Sequence, residues 1–146
     1  MLTHYFQQQF KFTFFFFGAA GLVIKTLFNR LSVSFDSVMG AACGYLFVGL
    51  GWAVCYGLIE RFQPQSFQLS ESLSKLGDRS QTLPHLLTYY SFVTLTTVGY
   101  GDGTPISPAA RTLAWMEAIT GQFYLGVIVA GLVSIIVANN SRTKPE

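Results

Sequence analysis

The sequence predicts an all-α membrane protein, and three of its properties support this fold class. Only 11% of its 146 residues are charged, whereas 51% are hydrophobic and 14 are phenylalanines. A soluble domain carries about 25% charged residues, so this chain has too few charges to cover a water-facing surface. Long uncharged stretches suited to crossing a bilayer occur in its middle and near its end. These properties argue against a cytosolic enzyme and a disordered tail.

The first apolar stretch runs from Phe12 to Phe28 and is interrupted by Lys25. It is shorter than the about 20 residues that a helix needs to cross the hydrocarbon, although Lys25 can extend its amine to the interface. We therefore predict a helix within residues 10–28 that either spans the membrane or lies in its interface. With its linker this helix forms an N-terminal region over residues 1–36.

The second apolar stretch, Ser37–Ile59, contains no charged residue and is long enough to span the bilayer. Gly40 and Gly44 lie four positions apart within it, and small residues let helices approach closely in lipid. We predict a spanning helix over residues 37–60, packed through these small residues. A polar extramembrane loop is predicted over residues 61–81.

The third apolar stretch is too short in its helical part to cross the membrane. Thr82 is a suitable N-cap and Pro84 suits a first helical turn, so we predict a helix over residues 84–96. The helix runs into a segment that contains Gly99 and Gly101, where alternating glycines disfavour helical structure. Irregular backbone at membrane depth persists only where protein buries it or where it lines a water-filled path. The sequence therefore predicts a re-entrant loop.

The last stretch is uncharged from Ala118 to Ala138, which is again long enough to span. We predict a helix over residues 111–138, which includes Glu117 near its start. A short polar tail over residues 141–146 follows.

Residues 96–102, between the re-entrant helix and the last span, read TTVGYGD. This motif resembles the selectivity filter of potassium channels, in which a TVGYG loop directs carbonyl oxygens at the ion. The order of elements over residues 37–140 also resembles the potassium-channel pore domain, with an outer helix, an extracellular loop, a pore helix, a filter over residues 97–102 and an inner helix. The run from Glu117 to Leu125 is similar to bacterial members of this family. The resemblance implies a cytoplasmic tail.

The chemistry of the motif is consistent with this resemblance. An ion that leaves water must exchange its hydration oxygens for others, and Gly99 and Gly101 allow the backbone conformations that turn carbonyls toward one axis. The resemblance implies K⁺ binding by Thr97, Val98, Gly99 and Tyr100. One chain supplies one oxygen per layer, so the expected assembly is a C4 homotetramer in a lipid bilayer. No cofactor is expected besides K⁺, the transported ion.

The resemblance also yields candidates for supporting the filter, which are Thr96, Gly101, Asp102, Tyr89, Tyr90 and Glu117. Tyr89 and Tyr90 occupy positions where related channels carry tryptophans. Their hydroxyls either brace the filter through Asp102 or serve only in packing. Val93 stands where some relatives have a glutamate behind the filter, so the inactivation behaviour of those relatives is not expected here.

Glu117 is the only carboxylate in the interior of a predicted span, since Glu60 stands at the end of the first one, and an acid at membrane depth indicates a function. We consider three alternatives for it. It hydrogen-bonds Ser91 or Thr94 and braces the filter from behind, it binds cations in the cavity, or it is a surface residue that reaches the interface.

The predicted inner helix carries candidates for the cavity and the gate. Gly121 falls where related channels have a hinge glycine, and close helix packing is the alternative reason for a glycine there. Gln122, Leu125 and Val129 share one helical face and are predicted to line the cavity and inner gate.

The sequence therefore predicts a channel that conducts K⁺ passively and selectively, and not an enzyme, because no nucleophile–base pair or phosphate loop is visible. A weakly selective cation channel and a non-conducting membrane assembly subunit are the alternatives. No basic run indicates a nucleic-acid partner. The short length and the absence of eukaryotic sorting signals favour the inner membrane of a bacterium. The chain is either a small complete channel or the pore end of a longer one.

Overall fold

The computed structural model describes residues 7, 11, 14–22, 25, 35–69 and 79–142. The labelled elements are the helices α1 (Phe35–Phe62), α2 (Arg79–Leu95) and α3 (Pro108–Arg142) and the strands β1 (Phe67–Leu69) and β2 (Gly103–Pro105). Residues 14–22 are also helical, and we call them the N-terminal helical segment. Much of the predicted linker, the predicted loop from residue 70 to 78 and the tail from residue 143 lie outside the described residues.

Two helices are long and apolar enough to cross a membrane, over Val38–Phe62 and Pro108–Gly131. The mainly helical fold with two spans was predicted from the sequence. The prediction for residues 10–28 falls partly outside the described residues. Within the described part, the N-terminal helical segment packs on α1, with the ring of Phe17 5.8 Å from that of Trp52.

Helix α2 lies between α1 and α3 and contacts both of them. Gly49 of α1 makes room for α2, because a Cβ at that position would lie 2.6 Å from a ring carbon of Phe92. Buried Val48, Trp52 and Leu87 contribute to the core that joins these helices. The shared core fixes the C-terminal end of α2 between the two spans.

The predicted start of α2 at Pro84 is wrong. The helix begins at Arg79, so Pro84 lies inside it and Thr82 is not its N-cap. A proline within a helix removes one backbone hydrogen bond and crowds the carbonyl four residues earlier, and Pro84 confines both effects to the first turns of α2. Pro84 is exposed, so its ring does not disturb the packed face.

Helix α3 begins at Pro108, three residues before the predicted start, and extends past the predicted end to Arg142. Proline is favoured at a first helical position because its missing N–H would have no partner there. The hydroxyl of Ser107 accepts a hydrogen bond from the N–H of Ala110 at 3.2 Å, which caps the helix. The Ser107–Pro108 pair is a start signal that the sequence analysis missed.

The structure contains two short strands that the sequence analysis did not predict. One, β1, follows the first span, and the other, β2, follows the motif of residues 96–102. β1 and β2 are antiparallel, with Phe67 opposite Pro105 and Leu69 opposite Gly103. Beside them the carbonyl of Ser66 accepts a hydrogen bond from the N–H of Ile106 at 2.7 Å. The predicted loop therefore contains a strand that holds the segment directly after the motif.

The carboxylate of Glu60 connects the end of α1 to the two-stranded ribbon formed by β1 and β2. Glu60 is only 6% exposed, and its two oxygens accept hydrogen bonds from the N–H groups of Gln65 and Ser66, each at 2.9 Å. Gln65 has a positive φ of 65°, so the chain reverses sharply here. The carboxylate stabilises a turn that would otherwise bury N–H groups without partners.

Candidate functional site

The candidate site is the loop that leaves the C-terminal end of α2. Its first residues are anchored to the last turn of the helix by backbone hydrogen bonds. The carbonyl of Val93 accepts from the N–H of Val98 at 3.0 Å and from that of Gly99 at 3.4 Å. The backbone carbonyl of Val93 therefore fixes the start of the loop on the helix. Val93 is the residue that stands where some relatives have a glutamate.

The backbone of this loop alternates in handedness. Thr97, Gly99 and Gly101 have positive φ angles of 59°, 58° and 79°. The two residues between them, Val98 and Tyr100, do not. In a regular strand successive peptide groups point in opposite directions. Alternating handedness can cancel this reversal, as it does in the αR–αL nests that align N–H groups, so this backbone allows successive peptide groups to point the same way.

Thr97 is the unusual member of the series. A positive φ is rare for a β-branched residue, and backbone strain of this kind is typical of functional sites. The surrounding bonds compensate for the strain, because the N–H of Thr97 donates to the carbonyl of Thr94 at 3.0 Å. The motif indicated the two glycines, but nothing in the sequence indicated the conformation of Thr97.

The outer end of the loop is held by Tyr89. Its hydroxyl donates a hydrogen bond to Oδ2 of Asp102 at 2.6 Å, while Oδ1 accepts from the N–H of Gly103 at 3.0 Å. The hydrogen bond to Asp102 raises the pKa of Tyr89 to about 12, because the neutral phenol is the form that donates. Of the two alternatives for Tyr89, the structure shows the contact with Asp102.

Tyr90 has a different environment. Its ring lies 5.1 Å from that of Tyr56 and 5.2 Å from that of Phe67, in edge-to-face contacts. It therefore joins α2 to α1 and to β1 by packing. The hydroxyl of Thr96 likewise makes no bond to the loop, since it donates to the carbonyl of Phe92 at 2.6 Å.

The inner end of the loop rests on Leu95, the last residue of α2, which is fully buried. Its carbonyl accepts a hydrogen bond from the hydroxyl of Tyr45 on α1 at 3.0 Å. On the other side, a Cβ at Gly121 of α3 would overlap the same carbonyl. Gly121 therefore allows α3 to approach the end of α2, which favours the packing explanation for this glycine.

Sequence analysis missed Tyr45 and Leu95. A tyrosine in an otherwise apolar span is a usable signal, because its hydroxyl requires a partner in lipid. The identity of that partner depends on the tertiary fold and is not visible in the sequence.

Glu117 lies behind α2 and is 0% exposed, so the alternative of a surface residue is wrong. Its Oε1 is 2.5 Å from Oγ of Ser91, and its Oε2 accepts a hydrogen bond from the hydroxyl of Tyr56. The carboxyl group thus joins α3 to both α2 and α1. Ser91 was one of the two expected partners, whereas Tyr56 was not foreseen.

The proposed cavity residues lie on the part of α3 that is not covered within a single chain. Gln122 is exposed, and Leu125 and Val129 are 44% and 57% exposed. They share one side of the helix, as predicted from their spacing. Buried Tyr124 and Ile128 occupy the side that faces the other helices.

Comparisons with known proteins agree with this geometry. A family model described as "Ion channel" matches residues 79–138, which cover α2, the loop and most of α3. Two pore potassium channel c of Oryza sativa subsp. japonica is 37% identical over 49 residues, which are 34% of this chain and 11% of that protein. No solved structure matches the chain.

A longer match is found with Protein LctB of Bacillus caldotenax, which is 38% identical over 105 residues, or 72% of this chain and 75% of that protein. Protein LctB of Geobacillus stearothermophilus is 36% identical over 105 residues, which are again 72% of this chain and 75% of that protein. Two span-length helices flank the loop in the structure. The chain is therefore an ion-channel protein of the membrane and belongs to the potassium-channel pore-domain family.

Proposed function

We propose that this chain forms a C4 homotetramer that conducts K⁺ passively and selectively across a membrane. The carbonyls of Thr97, Val98, Gly99 and Tyr100 bind the ions. The alternating handedness of the loop carries the proposal, because it allows successive carbonyls to point toward one side. A row of preorganised oxygens replaces the hydration shell that K⁺ loses on entering the pore.

The need for several subunits follows from the exposure of the loop. In a single chain Val98 is 52% and Tyr100 71% exposed, so one chain offers oxygens on only one side of an ion. A closed shell requires copies of the loop around a common axis. Fourfold symmetry supplies four oxygens in each layer, as in the filters that the motif resembles.

The exposed faces of α3 support the same assembly. One face carries Leu125 and Val129 and lines the inner cavity. The other carries Ile119, Phe123 and Val127, which are 46%, 69% and 45% exposed, and packs against a neighbouring subunit. Apolar surface of this extent on a helix is typical of protein or lipid contact.

We further propose that the channel works in the cell membrane of a bacterium. The two LctB proteins that match most of this chain come from Bacillus caldotenax and Geobacillus stearothermophilus, which are bacteria. The tail after α3 faces the cytoplasm in this arrangement, and Asp102 faces the outside.

The experiment is a reversal-potential measurement on the full chain in a planar bilayer, with potassium on one side and sodium on the other. Gly99→Ala is the test variant, because alanine is strained at a φ of 58°. Gly57→Ala is the matched control, since a Cβ there meets no described atom within 4 Å and the residue lies in regular helix. Thr97→Cys additionally removes the hydroxyl at the inner end.

We expect a wild-type potential near the potassium equilibrium value, unchanged in Gly57→Ala and lost in Gly99→Ala and Thr97→Cys. A robust current with a potential near zero in the wild type contradicts selectivity and favours a weakly selective cation channel. A purified tetramer that carries no current under any condition contradicts conduction and favours an assembly subunit.

A further inference from the structure

Glu117 lies where the three labelled helices meet. Its Oε1 is 2.5 Å from Oγ of Ser91 on α2, and the same Oγ is 2.7 Å from the carbonyl oxygen of Gly49 on α1. The hydroxyl of Tyr56, also on α1, donates to Oε2 of Glu117. Ser91 and Glu117 are both fully buried.

These contacts can be checked by counting protons. A serine hydroxyl carries one proton, whereas a carbonyl and an ionised carboxylate can only accept. With an ionised Glu117, the single proton of Ser91 would serve two acceptors, and one close oxygen pair would have no proton between its atoms. With a proton on Oε1, Glu117 donates to Ser91, and Ser91 donates to Gly49. Every contact then has one donor and one acceptor.

The surrounding charges lead to the same conclusion. The titratable groups that face Glu117 are phenols, those of Tyr45 and Tyr56 on α1 and of Tyr90 on α2. Phenols are uncharged at neutral pH. Among the described residues no lysine or arginine contacts the carboxyl group. An ionised carboxylate buried without a cation is strongly unfavourable.

We propose that Glu117 is a neutral carboxylic acid in the folded protein and acts as a positioning residue. Its proton is donated to the hydroxyl of Ser91, which in turn donates to the carbonyl of Gly49. These two hydrogen bonds form a donor chain that fixes α2 between α1 and α3, and α2 carries the loop of the site. The effect on ion selectivity rests on the proposed function, but the protonation state does not. A neutral Glu117 adds no negative charge behind the loop, so it acts through geometry and not by attracting cations.

Infrared spectroscopy of the full chain in lipid at neutral pH tests the protonation. A protonated carboxyl group absorbs at higher frequency than either carboxylate stretch. We expect this C=O band in the wild type and its loss in Glu117→Gln. Glu60→Gln is the matched control, because both Glu60 oxygens accept backbone N–H groups and need no proton. A wild type without the band, or a band that survives in Glu117→Gln, overturns the proposal.

Ser91→Ala tests the donor chain with little change in volume. It removes the acceptor of the Glu117 proton, so we expect the C=O band to remain and shift to higher frequency, as for a carboxyl group with a weaker hydrogen bond. An unshifted band would show that Ser91 does not accept this proton. The readout needs only folded protein and is independent of conduction.

The positioning role is tested by the sodium-to-potassium permeability ratio. A glutamine amide both donates and accepts, so Glu117→Gln keeps the wild-type ratio, whereas Glu117→Ala raises the relative sodium permeability. Equal ratios in wild type and Glu117→Ala contradict the positioning role. A wild type that is itself unselective contradicts the proposed function instead, and leaves the infrared result standing.

Discussion

The hydroxyl of Tyr45 donates a hydrogen bond at 3.0 Å to the carbonyl of Leu95, the last residue of α2 before the candidate loop. The last carbonyls of a helix have no partner within the helix. Leu95 is fully buried, so a partner must come from elsewhere in the protein. The first span thus supplies it, and this hydrogen bond joins α1 to the end of α2, from which the loop of the candidate site leaves.

Tyr45→Phe should destabilise this junction. Removing one buried hydrogen bond costs about 1 kcal/mol, and the carbonyl of Leu95 loses its partner. We expect a lower midpoint of thermal unfolding and a higher sodium-to-potassium permeability ratio. Tyr124→Phe is the control, because its hydroxyl donates to the carbonyl of Ala41 on α1 at 2.8 Å and not to Leu95. A permeability change of the same size in both variants would contradict the role of Tyr45.

Gly121→Ala should displace α3 from the pore helix. The added Cβ would overlap the backbone carbonyl of Leu95, which cannot move aside as a flexible side chain would. We expect weaker assembly on gel filtration and reduced potassium selectivity. Gly126→Ala on the same helix meets no described atom within 4 Å and should raise helix stability by about 1 kcal/mol. If Gly121→Ala alters only the open probability and leaves selectivity intact, the hinge explanation is favoured.

The bond between Tyr89 and Asp102 should depend on pH. Because the pKa of Tyr89 is raised to about 12, the folded protein holds the phenolic proton more tightly than the unfolded chain does. The bond therefore contributes fully below about pH 10 and is lost as the pH rises through about 12. The ultraviolet titration of the wild type should contain one more phenol with that midpoint than the titration of Tyr89→Phe. A difference between the two titrations centred at pH 10 would contradict the contact.

Glu60→Ala should loosen the strand ribbon that follows the filter. The substitution leaves the N–H groups of Gln65 and Ser66 without their acceptor, and each such loss costs about 1–3 kcal/mol. We expect the amides of Gln65, Ser66 and Ile106 to exchange hydrogen about tenfold faster or more, as about 1.4 kcal/mol implies. Thr104→Ala changes an exposed side chain of the ribbon and should leave these rates unchanged. Equal exchange in Glu60→Ala and wild type would show that the turn holds without the carboxylate.

The features that could be predicted from the sequence are those with local signals. Uncharged length indicates the spans, and the alternating glycines Gly99 and Gly101 indicate an irregular loop. The predicted helix ends were less accurate, since Pro84 was taken as a start signal although the helix begins at Arg79. A three-residue strand such as β1 is too short to show alternation, so the ribbon left no pattern to detect.

The contacts that support the site were harder to predict, because they join residues far apart in the chain. Ser91 and Glu117 are 26 positions apart, and Tyr45 and Leu95 are 50 apart. An intramembrane acid or phenol indicates that a polar partner exists. Which residue provides it depends on how the helices cross, and a single sequence does not contain that information.

The contacts that hold the loop, from the carbonyl of Val93 to the carboxylate of Asp102, connect residues of one and the same chain. In the proposed tetramer each subunit therefore brings these contacts for its own quarter of every ion-binding layer. When wild-type chains co-assemble with a Tyr89→Phe variant, selectivity should decline in steps with the number of variant copies. Linked tetramers that contain one, two or three variant copies would give intermediate permeability ratios, and a single altered copy would not abolish selectivity.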